Sequence, residues 1–178
     1  MKKIAAFLLA SLLAVTVCAG QRLADVHPGF PCDGVAQVEE RLGSVEVAVP
    51  GSNGIRQYRG TEGGAQVTVV YHCEQGRLAE QEIIFKRPTR SEIYGIANEQ
   101  SKELVKHLGE PLHDGLNLGA WSKLMFGFLG ADLDYLTSVV VWGRAKEDVM
   151  LLIREIEGDR WEVVISQGSS KVEYILNS

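Results

Sequence analysis

Clusters of positive charge are missing from this chain. Its 18 Lys and Arg residues are scattered among 23 Asp and Glu, leaving a net charge of −5. Nucleic acids and anionic lipid surfaces reward grouped Lys and Arg, so neither is expected as the main partner. Cysteine is scarce as well: three residues, with no C-x-x-C and no histidine pair nearby. That spacing argues against thiol redox chemistry and against a zinc site. Proline is rare and no low-complexity tract occurs, so the only linker expected is the polar stretch Gln21–Pro31. No G-x-S-x-G frames a serine near Ser166–Ser170. The glycine-rich stretch Gly51–Gly64 precedes strands rather than a helix, which suits hairpin turns better than a phosphate cradle.

What is present begins with an address. Lys2 and Lys3 precede an uncharged apolar run, Ile4–Val17, interrupted only by Ser11 and Thr16; Ala19 and Gly20 then supply small residues before polarity starts at Gln21. Charge, length and cleavage site together read as an export signal over residues 1–19, and the run is short for a membrane span. Removing it takes two lysines and no acid, so 16 basic against 23 acidic residues leave −7 over residues 20–178. The expected location is the periplasm of a bacterial-type envelope. The alternative is a lipoprotein anchored through Cys18, although Val17 in front of it fits a lipidation signal poorly. A membrane contact is expected only if Cys18 is lipidated. Either way Cys32 and Cys73 remain as an even pair in an oxidising compartment, where a disulfide is the default.

The remaining pattern is α+β, used twice within one domain of residues 20–178: a first unit over 33–86 and a second over 89–178. Asp33 is placed to cap a short helix with the stripe Val35, Val38, Leu42, ending at Gly43. Strands follow at Val45–Val49, Ile55–Arg59, Val67–Cys73 and Leu78–Phe85, with turns at Pro50–Gly54, Gly60–Gly64 and Glu74–Gly76. Thr89 and Glu92 form a capping box for a longer helix with Ile93, Ala97, Gln100, Leu104 and Leu108 on one face, stopped by Gly109 and Pro111. Strands are expected again at Ser138–Trp142, Val149–Ile156, Arg160–Ser166 and Val172–Leu176. Each unit is thus a helix followed by antiparallel strands, with helices packed on sheet faces, and the matched order suggests a tandem repeat. Val139–Trp142 and Val149–Ile153 are apolar on both faces, so both need cover. The long helix supplies one cover, and Leu124–Leu136, readable as helix or strand, is the favoured second; a docking partner is the other candidate.

Gly34-x-x-x-Val38-x-x-x-Leu42-Gly43, Gln57–Tyr58, Val67–Tyr71 and Gly76-Arg77-Leu78 resemble the small outer-membrane lipoprotein family SmpA/OmlA. Leu104-x-x-x-Leu108-Gly109-Glu110-Pro111 and Trp121 repeat the resemblance more loosely in the second half. The chain departs from the pattern where Gly43 lacks a following proline. The resemblance, shared with the architecture of the secreted beta-lactamase-inhibitor protein, implies helices on one face of an antiparallel sheet and a non-catalytic module that binds another envelope protein.

No catalytic residue is assigned, and neither metal nor cofactor is expected. His72 shares a strand face with Val70 and Thr68; His107 and His113 flank one turn and are close enough in sequence to meet; Asp132 and Asp134 diverge on a helix. The function expected is an inhibitor, an immunity protein or an assembly accessory. The alternative is a small periplasmic hydrolase using a histidine with acidic partners. Candidate partner-binding anchors are Tyr58, Trp121 and Trp142, because aromatic side chains bring large contact area at modest entropic cost. Exported material is expected to start near Gly20 and to be lighter by two hydrogens than its reduced form in intact-mass analysis. Two free thiols, or a retained Lys2–Lys3 end, would contradict this.

Overall fold

The computed structural model describes residues 19–143, 148–157 and 160–168. The apolar run of the export signal, Cys18, Ser169–Ser170 and the strand expected at Val172–Leu176 lie outside those residues.

Alternation of apolar and polar residues builds most of the sheet. Among the described residues eight strands pair antiparallel throughout: β1 (Val45–Val47), β2 (Ile55–Glu62), β3 (Ala65–Glu74), β4 (Arg77–Arg87), β5 (His113–Asp114), β6 (Val139–Trp142), β7 (Val149–Ile156) and β8 (Arg160–Gln167). Their order is β1-β2-β3-β4-β8-β7-β6-β5, so each half is a meander and the two last strands, β4 and β8, join the halves edge to edge. Register shows what this does to the core. One line of paired residues runs Tyr58, Val69, Ile83, Ile165, Leu151, Val140, crossing six strands, and every member is buried. A neighbouring line, Tyr71, Gln81, Gln167, Val149, Trp142, carries polar groups at its centre. There Gln81 Nε2 donates to Gln167 Oε1 at 2.6 Å and also to the carbonyl of Val26, which satisfies the buried amide nitrogen.

Helices α1 (Ala19–Asp25), α2 (Cys32–Arg41) and α3 (Arg90–Leu108) contribute to the same cluster on this face through Leu23, Val35, Val38, Ile93, Ala97 and Leu104. The α+β class expected from the pattern is therefore present, but the halves differ in element order: two helices precede four strands in the first, whereas α4 and α5 interrupt the strands of the second. Thr89 caps α3 as expected, the Glu92 N–H donating to Thr89 Oγ1 at 3.3 Å, while Glu92 Oε2 accepts from the Thr89 hydroxyl at 2.7 Å. It stops at Gly109, whose φ of +84° suits a residue without a Cβ. The Cys32–Cys73 disulfide is formed, with Cα atoms 6.2 Å apart, and fixes the start of α2 to the end of β3.

Four expectations need correction. Gln21–Pro31 is not a linker: α1 occupies its first part, Arg22, Leu23 and Val26 are fully or almost fully buried, and Gly20 packs so closely on His107 that a Cβ would overlap the imidazole. Asp33 does not cap α2; Pro31 is the N-cap, and Asp33 lies inside the first turn. Gly60 belongs to β2 rather than to a turn, because Ser44 Oγ fills the space where a side chain would stand; the turn is confined to Gly63 and Gly64, both at positive φ. The strand expected at Val45–Val49 shortens to three residues with Val45 in solvent.

Leu124–Leu136 falls in two short helices, α4 (Ala120–Phe128) and α5 (Leu133–Leu136), none of whose residues is fully buried. Val139, Val141 and Met150 form a small second cluster on the face away from α3.

Arg22 is the unusual member of the core. Its Nη1 binds Glu39 Oε1, its Nε binds Glu62 Oε1, and the Tyr71 hydroxyl donates to the same Glu39 oxygen, all without solvent access at either ion pair. Burial opposes the guanidinium's charge, but Glu62 and Glu39 outweigh it and raise its pKa. Two carboxylates against one guanidinium leave an excess negative charge. Burial pushes Glu62 up from the ordinary carboxylate range, more than Arg22 pulls it down. Burial and Glu39 likewise raise the Tyr71 phenol.

An acid with a raised folded pKa contributes stability that is complete below its ordinary pKa and is lost as pH rises through the folded value. Denaturant midpoints are therefore expected to fall as pH rises above the ordinary carboxylate range, and Glu62→Gln is expected to flatten that dependence. An unchanged slope in the variant would contradict the assignment. For packing, Leu104→Ala should cost ~2–5 kcal/mol, while Lys102→Ala on the exposed side of α3 should stay within about half a kcal/mol. Equal midpoints for these two variants would show the helix face to be misassigned.

Candidate functional site

Histidines do not converge. His72 lies on the outer face of β3, with Nε2 3.9 Å from Glu82 Oε2 on the adjacent strand. His113 Nε2 is 2.9 Å from the Leu136 carbonyl oxygen, and the His107 ring packs on Gly20. Asp132 caps α5, accepting the Tyr135 N–H at 3.1 Å; Asp134 sits in the first turn of the same helix. Among the described residues no group of three His, Cys, Asp or Glu side chains is placed to hold a metal ion.

The three aromatic candidates separate. Tyr58 is 2% exposed, edge-on to Tyr71 at 5.9 Å, and burial raises its phenol pKa. Trp142 is 4% exposed and donates from Nε1 to the Gly109 carbonyl at 3.0 Å, which ties β6 to the end of α3. Both are core residues, so neither offers surface to a partner. Trp121 is 72% exposed.

Trp121 does not stand alone. On α4 and its C-cap, Leu124 is 63% exposed, Met125 44%, Phe128 87% and Leu129 73%. At ~100° per residue these five side chains occupy a sector of roughly 140° on one side of the helix, whereas Ser122, Lys123 and Phe126 fall outside it. The helix is amphipathic, yet its apolar side faces water. Burying such side chains is worth ~25 cal/mol per Å² of apolar surface, so leaving five of them exposed is costly unless something covers them.

The excursion that presents α4 has closed ends. The Gly115 N–H donates to the Val139 carbonyl at 2.9 Å, and a Cβ on Gly115 would overlap the carbonyl oxygens of Leu136 and Val139. Glycine is required there because the two stems meet backbone to backbone. The Thr137 hydroxyl donates to the Leu133 carbonyl at 2.8 Å, and the Ser138 hydroxyl to that of Asp134, which fixes the return from α5. Between the excursion and α3 lies an open cleft of about 590 Å³, lined by Arg90, Ser91, Tyr94, Gly115, Leu116, Lys123 and Thr137. Arg90 stacks against Tyr94 and Trp161, 5.3 and 5.2 Å from the ring centres.

Sequence reasoning picked Trp121 from its position after a polar, glycine-rich loop and missed the rest of the surface. The missed signal is the spacing 121, 124, 125, 128, which is that of one helical face. Chemically the arrangement offers contact area and shape rather than proton transfer or nucleophilic attack. Comparison with family models, with curated proteins and with solved structures finds no match to the chain.

Proposed function

We propose that this protein is an exported, non-catalytic protein-binding module of a bacterial-type cell envelope, with α4 as its docking helix. The observation that carries the reading is the outward apolar face of Trp121, Leu124, Met125, Phe128 and Leu129. An amphipathic helix that lays i, i+3, i+4 and i+7 side chains into a partner's groove is a recurrent mode of protein recognition, and Trp121, Leu124, Met125 and Phe128 have that spacing. The pattern of residues 1–19 supports export, and the Cys32–Cys73 bridge suits an oxidising compartment. The likeness to SmpA/OmlA implies the same class of role. Inhibitor, immunity and assembly roles all fit this reading.

Capture from envelope extract on immobilised protein tests it. Phe128→Ala and Trp121→Ala should each weaken retention of the captured partner by more than ~1 kcal/mol, with thermal unfolding unchanged because neither side chain is in the core. Retention indifferent to both substitutions would place the docking site elsewhere.

A further inference from the structure

The docking face has an internal symmetry that limits what fits it. Its large side chains follow the order Trp121-x-x-Leu124-Met125-x-x-Phe128. Read backwards, the same spacing returns, with an aromatic ring at each end and two aliphatic side chains in the middle. When two such helices lie antiparallel about a two-fold axis, Trp121 of one faces Phe128 of the other, and Leu124 faces Met125. A two-fold interface requires this reciprocity: if residue i meets residue j, then j must meet i.

Charge and area agree with the pattern. From Gly115 to Ala131 the only ionisable side chain is Lys123, and it falls outside the apolar sector. Two copies of the exported chain, with 16 basic against 23 acidic residues and so a net charge of −7, repel one another on average, but nothing of like sign would be brought together at this face. With aromatic side chains contributing ~150–250 Å² each when covered, the five exposed residues offer on the order of 600 Å² per chain. A standard stable interface buries about 800 Å² per partner, so helix pairing with modest rim contact reaches the required range. Trp121 at one end of α4 and Phe128 and Leu129 at the other are all more than 70% exposed, so neither end of the face is covered within the described residues.

We propose that the partner for which α4 is shaped is a second copy of this chain, paired as antiparallel helices about a two-fold axis through Leu124 and Met125. This deepens, and rests on, the reading of α4 as a docking helix. Lys123 of each copy stays in water, and the Cys32–Cys73 bridge and the Arg22 cluster lie outside the contact.

Sedimentation velocity on the exported, disulfide-bonded chain tests the pairing, using wild type, Trp121→Glu and Phe128→Lys. Both substituted residues are exposed, so each variant should keep the melting curve that wild type shows when diluted to monomer. Wild type should sediment as a dimer at tens of micromolar, and each variant alone as a monomer, since each places a charge opposite an aromatic ring. Mixed in equal amounts, the two variants should recover the dimer: Glu at 121 then faces Lys at 128, and the remaining Trp121 faces the remaining Phe128. A wild type that stays monomeric, single variants that still dimerise, or a mixture that stays monomeric would each overturn the proposal. A monomeric wild type would leave the docking role of α4 to be decided by the capture experiment, so the two failures are distinguishable.

Discussion

One guanidinium holds the first half of the molecule together. Arg22 arrives on α1 and meets Glu39 on α2 and Glu62 on β2, with the Tyr71 hydroxyl from β3 closing the cluster. Four elements that already share one apolar cluster are thereby tied together in a place where the charge of Arg22 cannot be left unpaired. The surrounding sequence is built to accept it. Gly60 leaves room for Ser44 and for the guanidinium, and Leu23 and Val26 seat α1 on the apolar face. Gly20 lets α1 approach α3 at His107. A buried ion group of this kind contributes little net stability against a well-packed apolar alternative. Deleting one member, however, strands the others at a cost of ~3–5 kcal/mol. Its value lies in fixing where the N-terminal segment goes.

With α1 fixed, the rest of the apolar face is closed. The lines of side chains that cross the sheet from Tyr58 to Val140 and from Tyr71 to Trp142 lie under helices from both halves, and β4 and β8 make the sheet continuous. The second half then carries what that core has no place for. Between β5 and β6 the chain leaves the sheet, closes its own stem at Gly115 and Val139, and turns the apolar side of α4 outward. The same residue types that bury Ile93, Ala97 and Leu104 beneath α3 are on view along α4, and this contrast within one chain gives that surface its functional weight.

Much of the fold was legible from local chemistry. The Thr89 cap of α3, the Glu74–Gly76 turn, the alternation in β3 and β4 and the cysteine pair each rest on neighbours in sequence or on parity, and each has its expected form. Contacts between distant segments were not legible. A charged Arg22 in a polar stretch reads as a linker, because its partners are 17 and 40 residues away. Only the spacing of Ala19, Leu23 and Val26 hinted at a buried helix face. Tyr58 and Trp142 were misplaced for a related reason. An aromatic ring in a strand suits a core as well as an interface, and its neighbours across the sheet decide between them. Trp121 was selected by its glycine-rich surroundings, whereas the helical spacing through Phe128 was the stronger sign.

The account combines a core pinned at Arg22 with an apolar helix left free on its surface, and amide hydrogen exchange at two protein concentrations reads both together. In dilute solution, amides of α1, β3, β4 and β8 should exchange only through global unfolding, while those of α4 exchange far faster. At high concentration protection should rise along α4 and nowhere else. Slow exchange in α4 already in the dilute sample, equal to that of the core strands, would mean that this face is covered within the single chain and would contradict the account.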